Sequence, residues 1–108
     1  MAGGVTNKEK NIEAPSNPVR SPAEFGRVIR QVRKQQGLTL EAVYSATGLT
    51  TRFLSEFERG KSNASLGGAL RAAQALGLEV MMVPRAELWR FRAALEDSEE
   101  LIDRDKER

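Results

Sequence analysis

Four polar side chains, Thr51, Arg52, Ser55 and Glu56, recur about one helical turn apart between Thr50 and Gly60, on the face opposite Leu54 and Phe57. Their types suit the edges of base pairs in double-stranded DNA. A guanidinium can grip guanine O6 and N7 together, a threonine methyl can rest on the methyl of thymine, and a carboxylate can accept from cytosine N4. A second set flanks them. Lys61, Ser62 and Asn63 follow this stretch and Ser65 opens the next helical pattern. A lysine, loop amides and a helix N-terminus together suit a phosphate. Thr39 and Thr50 stand where helices begin, so each is a cap first and a phosphate contact second. Both sets have a plainer reading, an ordinary solvated helix face and a solvated turn. The order of the elements around them decides between the two.

Other chemistries find little support. The 108 residues contain neither cysteine nor histidine. Disulfide scaffolds, thiolate metal sites, the commonest zinc ligand and the commonest general base are therefore all missing. Asp, Glu or Lys could still catalyse, but a chain this short has little room to build a pocket. Gly67-Gly68 lacks the lysine and the preceding strand of a phosphate-cradling loop. No catalytic residue, metal ligand or cofactor is assigned. No apolar run approaches the roughly 20 residues of a membrane helix, and the N-terminus lacks a signal-peptide core. The expectation is a soluble, cytoplasmic, non-enzymatic protein with no membrane partner. Charge adds a hint: residues 21–60 carry six cations and four anions, whereas residues 85–108 carry six and eight. A mildly basic middle and an acidic end suggest two different partners.

The elements that must position these residues are marked by their ends. Residues 1–20, with Gly, Asn, Ser and two prolines, form a disordered arm. Ser21-Pro22-Ala23-Glu24 is a capping box, and Phe25, Val28, Ile29 and Val32 follow as one buried stripe with Arg27, Arg30 and Lys34 off it. Gly37 ends this helix. Thr39 caps a second helix through Ala46, with Val43 and Ala46 facing inward. Gly48 turns the chain, and Thr50 caps a third helix, residues 51–59, which Gly60 ends. Ser65 caps a fourth helix carrying Leu66, Ala69, Leu70, Ala73 and Leu76. Two short helices joined by a glycine turn place the second across the first with its N-terminal end protruding, which fits a major groove.

Residues 78–83, Leu-Glu-Val-Met-Met-Val, have strand composition and stop at Pro84. A lone strand exposes unpaired backbone groups, so a second copy related by a two-fold axis would complete a two-stranded sheet through Leu78, Val80 and Met82. The alternative is a loop that packs Val80 and Met82 on its own helices. Residues 85–108 form an amphipathic, acidic segment whose helical pattern runs over 86–103. There Leu88, Trp89, Phe91 and Leu95 could extend the dimer or dock into a partner, or pack back on the same domain. The domain proper is residues 21–84.

From about Phe25 to Pro84 the chain resembles the Cro/C1-type (XRE) helix-turn-helix domain of phage repressors. The run Arg52-Phe53-Leu54-Ser55-Glu56-Phe57-Glu58-Arg59-Gly60-Lys61, followed by Ala64-Ser65-Leu66-Gly67, is similar to the narrower branch of HipB-like antitoxins, which pair with HipA-type kinase toxins. The resemblance implies a mainly α fold of four to five helices with a short C-terminal dimerisation strand. It also implies that Arg33 and Glu58 form a structural ion pair. Two positions depart from the family pattern. Leu40 replaces a glutamine that reaches phosphate or base, and Tyr44 replaces an alanine where helices two and three pass closely, so it must tilt outward or open the inter-helix angle. The function implied is a sequence-specific repressor that reads an inverted repeat as a homodimer and pairs with a HipA-type kinase. A free-standing regulator and a DNA-independent dimeric adaptor are the alternatives.

Overall fold

The computed structural model describes residues 18–93. Four α-helices follow one another: α1 (Pro22–Gln35), α2 (Leu40–Thr47), α3 (Thr51–Glu58) and α4 (Leu66–Ala75). A 3-10 turn, Arg85–Glu87, comes next, and residues 88–93 are helical. Residues 1–17, Leu95, and the remainder of the acidic segment lie outside the described residues.

Each helix starts where its cap dictates. The hydroxyls of Ser21, Thr39, Thr50 and Ser65 accept from the backbone N–H groups of Glu24, Ala42, Phe53 and Gly68 at 3.1, 3.1, 3.0 and 3.0 Å. These bonds satisfy donors that the first helical turn leaves without a partner. The capping box at α1 is displaced by one residue, because the Glu24 carboxylate accepts from Arg20 N–H at 2.6 Å instead of from Ser21. The turn after α2 needs a left-handed residue, and Gly48 supplies it with φ of 79°.

The four helices close around one core. Ile29 and Val32 of α1, Val43 of α2, Leu49 of the turn, Leu54 and Phe57 of α3, and Ala69, Ala72, Ala73 and Leu76 of α4 are all buried. α1 packs on α3 and α4, and α2 packs on the same two. Small residues on α4 let its neighbours approach closely. The α4 stripe is shifted from expectation: Ala72 is buried, whereas Leu66, in the exposed first turn, faces outward. Ala46 is exposed as well, because Thr47, four residues beyond Val43, occupies the inward place. At the far end of α1 the Gln36 amide donates to Leu76 O at 2.7 Å, which caps α4 and ties the two helices together.

The strand expected over residues 78–83 is one that a second copy completes, and in the single chain this region is an irregular segment. It has no regular secondary structure, and no strand occurs among the described residues. A ladder needs two strands, and the described residues offer no second one. Leu78 is drawn into its own domain. Its N–H donates to Ala73 O at 2.9 Å, and its side chain packs against the core. Val80 and Met82 do not pack on the helices either, being 53% and 97% exposed.

Candidate nucleic-acid interface

The turn between α2 and α3 is fixed by Thr47. Its hydroxyl donates to Val43 O at 2.7 Å and accepts from Leu49 N–H at 3.0 Å. Buried Leu49 then anchors the turn, and Thr50 starts α3. Two interactions hold α3 from behind. Phe57 meets Phe25 of α1 with ring centroids 5.4 Å apart. Gly26 of α1 lies so close to the end of α3 that a Cβ built there would sit 1.9 Å from Phe57 O. Only glycine allows that approach.

The expected ion pair is present and buried. Arg33 donates from Nε and Nη2 to the two carboxylate oxygens of Glu58 at 2.7 and 2.9 Å, and from Nη1 to Leu38 O at 2.7 Å. The hydrogen bond to Glu58 raises the pKa of the Arg33 guanidinium, against the opposing effect of burial. One fork thus joins α1, the end of α3, and the loop that leads to α2. The family resemblance names Glu58 as the partner of Arg33, and the fold adds the bond to Leu38 O.

With α3 held so, Arg52 lies exposed on the outer face, and Thr51, Ser55 and Glu56 are half-buried. The structure brings three of the expected contact residues together. Glu56 accepts from Lys61 Nζ at 2.9 Å and from Arg52 Nε at 3.3 Å. Lys61 lies beyond the helix, and the chain returns it by means of Gly60, at φ of 97°, with Lys61 N–H bonded to Glu56 O at 3.0 Å. Glu56 is held below the usual carboxylate pKa, first by the Lys61 hydrogen bond and then by that of Arg52. It is therefore a carboxylate at neutral pH.

The residues expected to contact phosphate are all exposed, Lys61 with its side chain partly covered. Ser62 and Asn63 are exposed beside Lys61 in the loop before α4. Thr39, Thr50 and Ser65 are exposed, and their oxygens are engaged as caps. A hydroxyl that accepts can still donate, so the capping role leaves a proton for a phosphate oxygen. Leu40 turns to the core and is half-buried. Tyr44 points outward and is 48% exposed, which resolves its crowding by tilt. Phe53 packs inward, with its ring 5.8 Å from that of Phe57 and against Gly68, where a Cβ would come within 2.6 Å of Cζ.

Away from this face, Trp89 and Phe91 are exposed and Leu88 is half-buried. Arg90 stacks 5.3 Å from the Trp89 ring centroid and pairs with Glu87 at 3.0 Å. Among the described residues no three acidic side chains gather where a metal could be held, and no helix is long and apolar enough to cross a membrane. Sequence reasoning missed Gly26, Thr47 and Gln36. The one signal available was Gly26 itself, a glycine inside an otherwise helical run, which often marks close packing.

Comparison with known proteins agrees with this geometry. The helix-turn-helix family profile matches residues 29–81. The uncharacterized HTH-type transcriptional regulator y4mF of Sinorhizobium fredii is 32% identical over 69 residues, which is 64% of this chain and 91% of that protein. A second regulator of the same organism, y4dJ, is 38% identical over 48 residues, 44% of this chain and 62% of its own length. Among solved structures, the HipB–O4 20mer complex superposes with a TM-score of 0.60 at 23% identity, covering 64% of this chain and 97% of that one. A HipB variant in complex with an O2 20mer gives the same TM-score and identity, with 96% of its chain covered.

Proposed function

The chain belongs to the helix-turn-helix transcriptional regulators of the Cro/C1 (XRE) type, and from that footing we propose that it is a sequence-specific repressor acting as the antitoxin of a HipBA-like pair. Two copies would read an inverted-repeat operator on double-stranded DNA, each through the outer face of α3. Half-sites would lie about 34–36 Å apart, one turn of DNA. The observation that carries the reading is the outward set Thr51, Arg52, Ser55 and Glu56 on a helix that Phe25, Gly26 and Arg33 clamp from behind. Phosphate contacts from Thr39, Thr50, Lys61, Ser62, Asn63 and Ser65 would supply most of the affinity and make it fall with salt. The pairing of copies through the segment of Leu78, Val80 and Met82 is supported by the exposure of Val80, Met81 and Met82, while Leu78 anchors that segment to its own core. Leu88, Trp89, Phe91 and Leu95 are the proposed contacts to a HipA-type kinase. The exposure of Trp89 and Phe91 supports a docking role for this segment.

Fluorescence anisotropy on a labelled fragment of the gene's own upstream DNA, with scrambled competitor, tests the reader. Arg52→Ala should relax discrimination at one base pair by about 1–3 kcal/mol. Lys61→Ala should weaken all sequences alike and flatten the salt slope by about one. Equal affinity of the native protein for both DNAs would overturn the repressor reading. Co-purification of a kinase with the tagged chain tests the antitoxin role separately.

A further inference from the structure

At the outer face of α3 two of the expected DNA-contact cations share one anion. Arg52 is 87% exposed on its side chain and Lys61 47%, yet each is tied to the same carboxylate, Glu56, from opposite sides. A DNA-reading surface gains non-specific affinity from every free cation it offers to phosphates. Here the face presents three charges that sum to one, with the anion in the middle. A random DNA segment can reach the donors that Arg52 and Lys61 keep free only beside Glu56, which holds Arg52 Nε and one Lys61 proton. It must bring its phosphates toward that carboxylate, which repels them. A sequence with guanine under Arg52 and a cytosine amine near Glu56 gives each of the two a base partner.

We propose that Glu56 is a specificity-determining residue that suppresses non-specific DNA binding, by pairing with Arg52 and Lys61 and repelling phosphates unless a matching base sequence offers its carboxylate a donor. Its role is repulsive as well as attractive, since discrimination against wrong partners often rests on such elements. The inference rests on the DNA-reading function above. It assigns Glu56 a task in the free protein that base contact alone does not require.

The test uses the full chain, Glu56→Gln and, as a control, Glu41→Gln. Glu41 is exposed in the first turn of α2 and outside the trio, so its loss removes the same charge. Anisotropy is read on the upstream fragment and on a scrambled duplex between 50 and 200 mM salt, concentrations over which phosphate contacts change affinity by roughly orders of magnitude. Glu56→Gln should tighten scrambled-DNA binding by about fivefold or more and steepen its salt slope by about one to two, as one or two cations become free for phosphates. The ratio of upstream to scrambled affinity should fall. Glu41→Gln should leave that ratio within about twofold. Unchanged or weaker scrambled binding by Glu56→Gln, or equal gains from both variants, would overturn the proposal. The repressor reading fails on a different result, a native protein that does not prefer its upstream DNA. The scrambled arm still decides the role of Glu56 in that case. Arginine Nε–H resonances give a DNA-free check: Glu56→Gln should move the Arg52 signal to the position of a free arginine, and no movement would refute the pairing.

Discussion

Replacing Gly26 by alanine sets two physical effects against each other, and the structure says which wins. In a helix interior alanine is favoured over glycine by about 1 kcal/mol. At Gly26, however, the new Cβ would lie 1.9 Å from Phe57 O, 2.8 Å from Phe57 C and 3.3 Å from Glu58 Cα, all backbone atoms. Restoring ordinary contact at 3.4 Å requires α1 and the end of α3 to part by about 1.5 Å. No side chain can rotate away to absorb this. Phe57 is 1% exposed, and the adjacent Glu58 is bound to Arg33 at 2.7 Å. Overpacking costs about 1–3 kcal/mol, and rigid backbone on both sides places this case near the upper end. After the helix gain the net loss is about 2 kcal/mol, or about 8–16 °C in Tm for a domain of this size. Thermal unfolding followed by far-ultraviolet circular dichroism measures it. Gly67→Ala is the matched control, because nothing lies within 4 Å of its Cβ position in α4. It should hold or raise Tm by up to about 1 kcal/mol of stability. A Gly26→Ala protein as stable as the native one, or a Gly67→Ala protein that loses as much, would refute the close-approach argument.

Arg33→Met should destabilise by about 3–5 kcal/mol in urea unfolding, because it leaves Glu58 charged and buried; the double variant Arg33→Met/Glu58→Leu should recover much of the loss. Thr50→Ala removes the acceptor for Phe53 N–H at the start of α3 and should cost about 1 kcal/mol by the same assay. The lowered pKa of Glu56 fixes the sign of a pH effect. Its stabilising contribution is present above the carboxylate's unfolded-state pKa and is lost as pH falls through the lower native value. Glu56→Gln should therefore unfold at slightly lower urea than the native protein at neutral pH, with the two converging in acid. The difference should be small, since solvent screens exposed pairs.

Local chemistry made much of this protein legible before any fold was known. Ser21, Thr39, Thr50 and Ser65 announce helix starts because a cap acts within three residues of itself. The apolar spacing of Ile29, Val32, Leu54 and Phe57 shows which faces turn inward, and by subtraction that Arg52 faces out. The buried pair of Arg33 and Glu58, 25 residues apart, was expected only through family resemblance, since nothing local joins them. Other features depend on how elements meet. Composition made residues 78–83 a strand, but a ladder needs a neighbour, and α4 draws Leu78 back by a hydrogen bond to Ala73. Gly26 counts because α1 crosses the end of α3, and Thr47 because its hydroxyl spans the turn. Arg52 meets Glu56 one helical turn away, but Lys61 reaches the same carboxylate only because the chain reverses at Gly60. Caps and stripes follow from interactions within one or two turns, which the order of residues specifies directly. Close approaches and the buried pair of Arg33 and Glu58 follow from distances between elements, which the packed core alone sets.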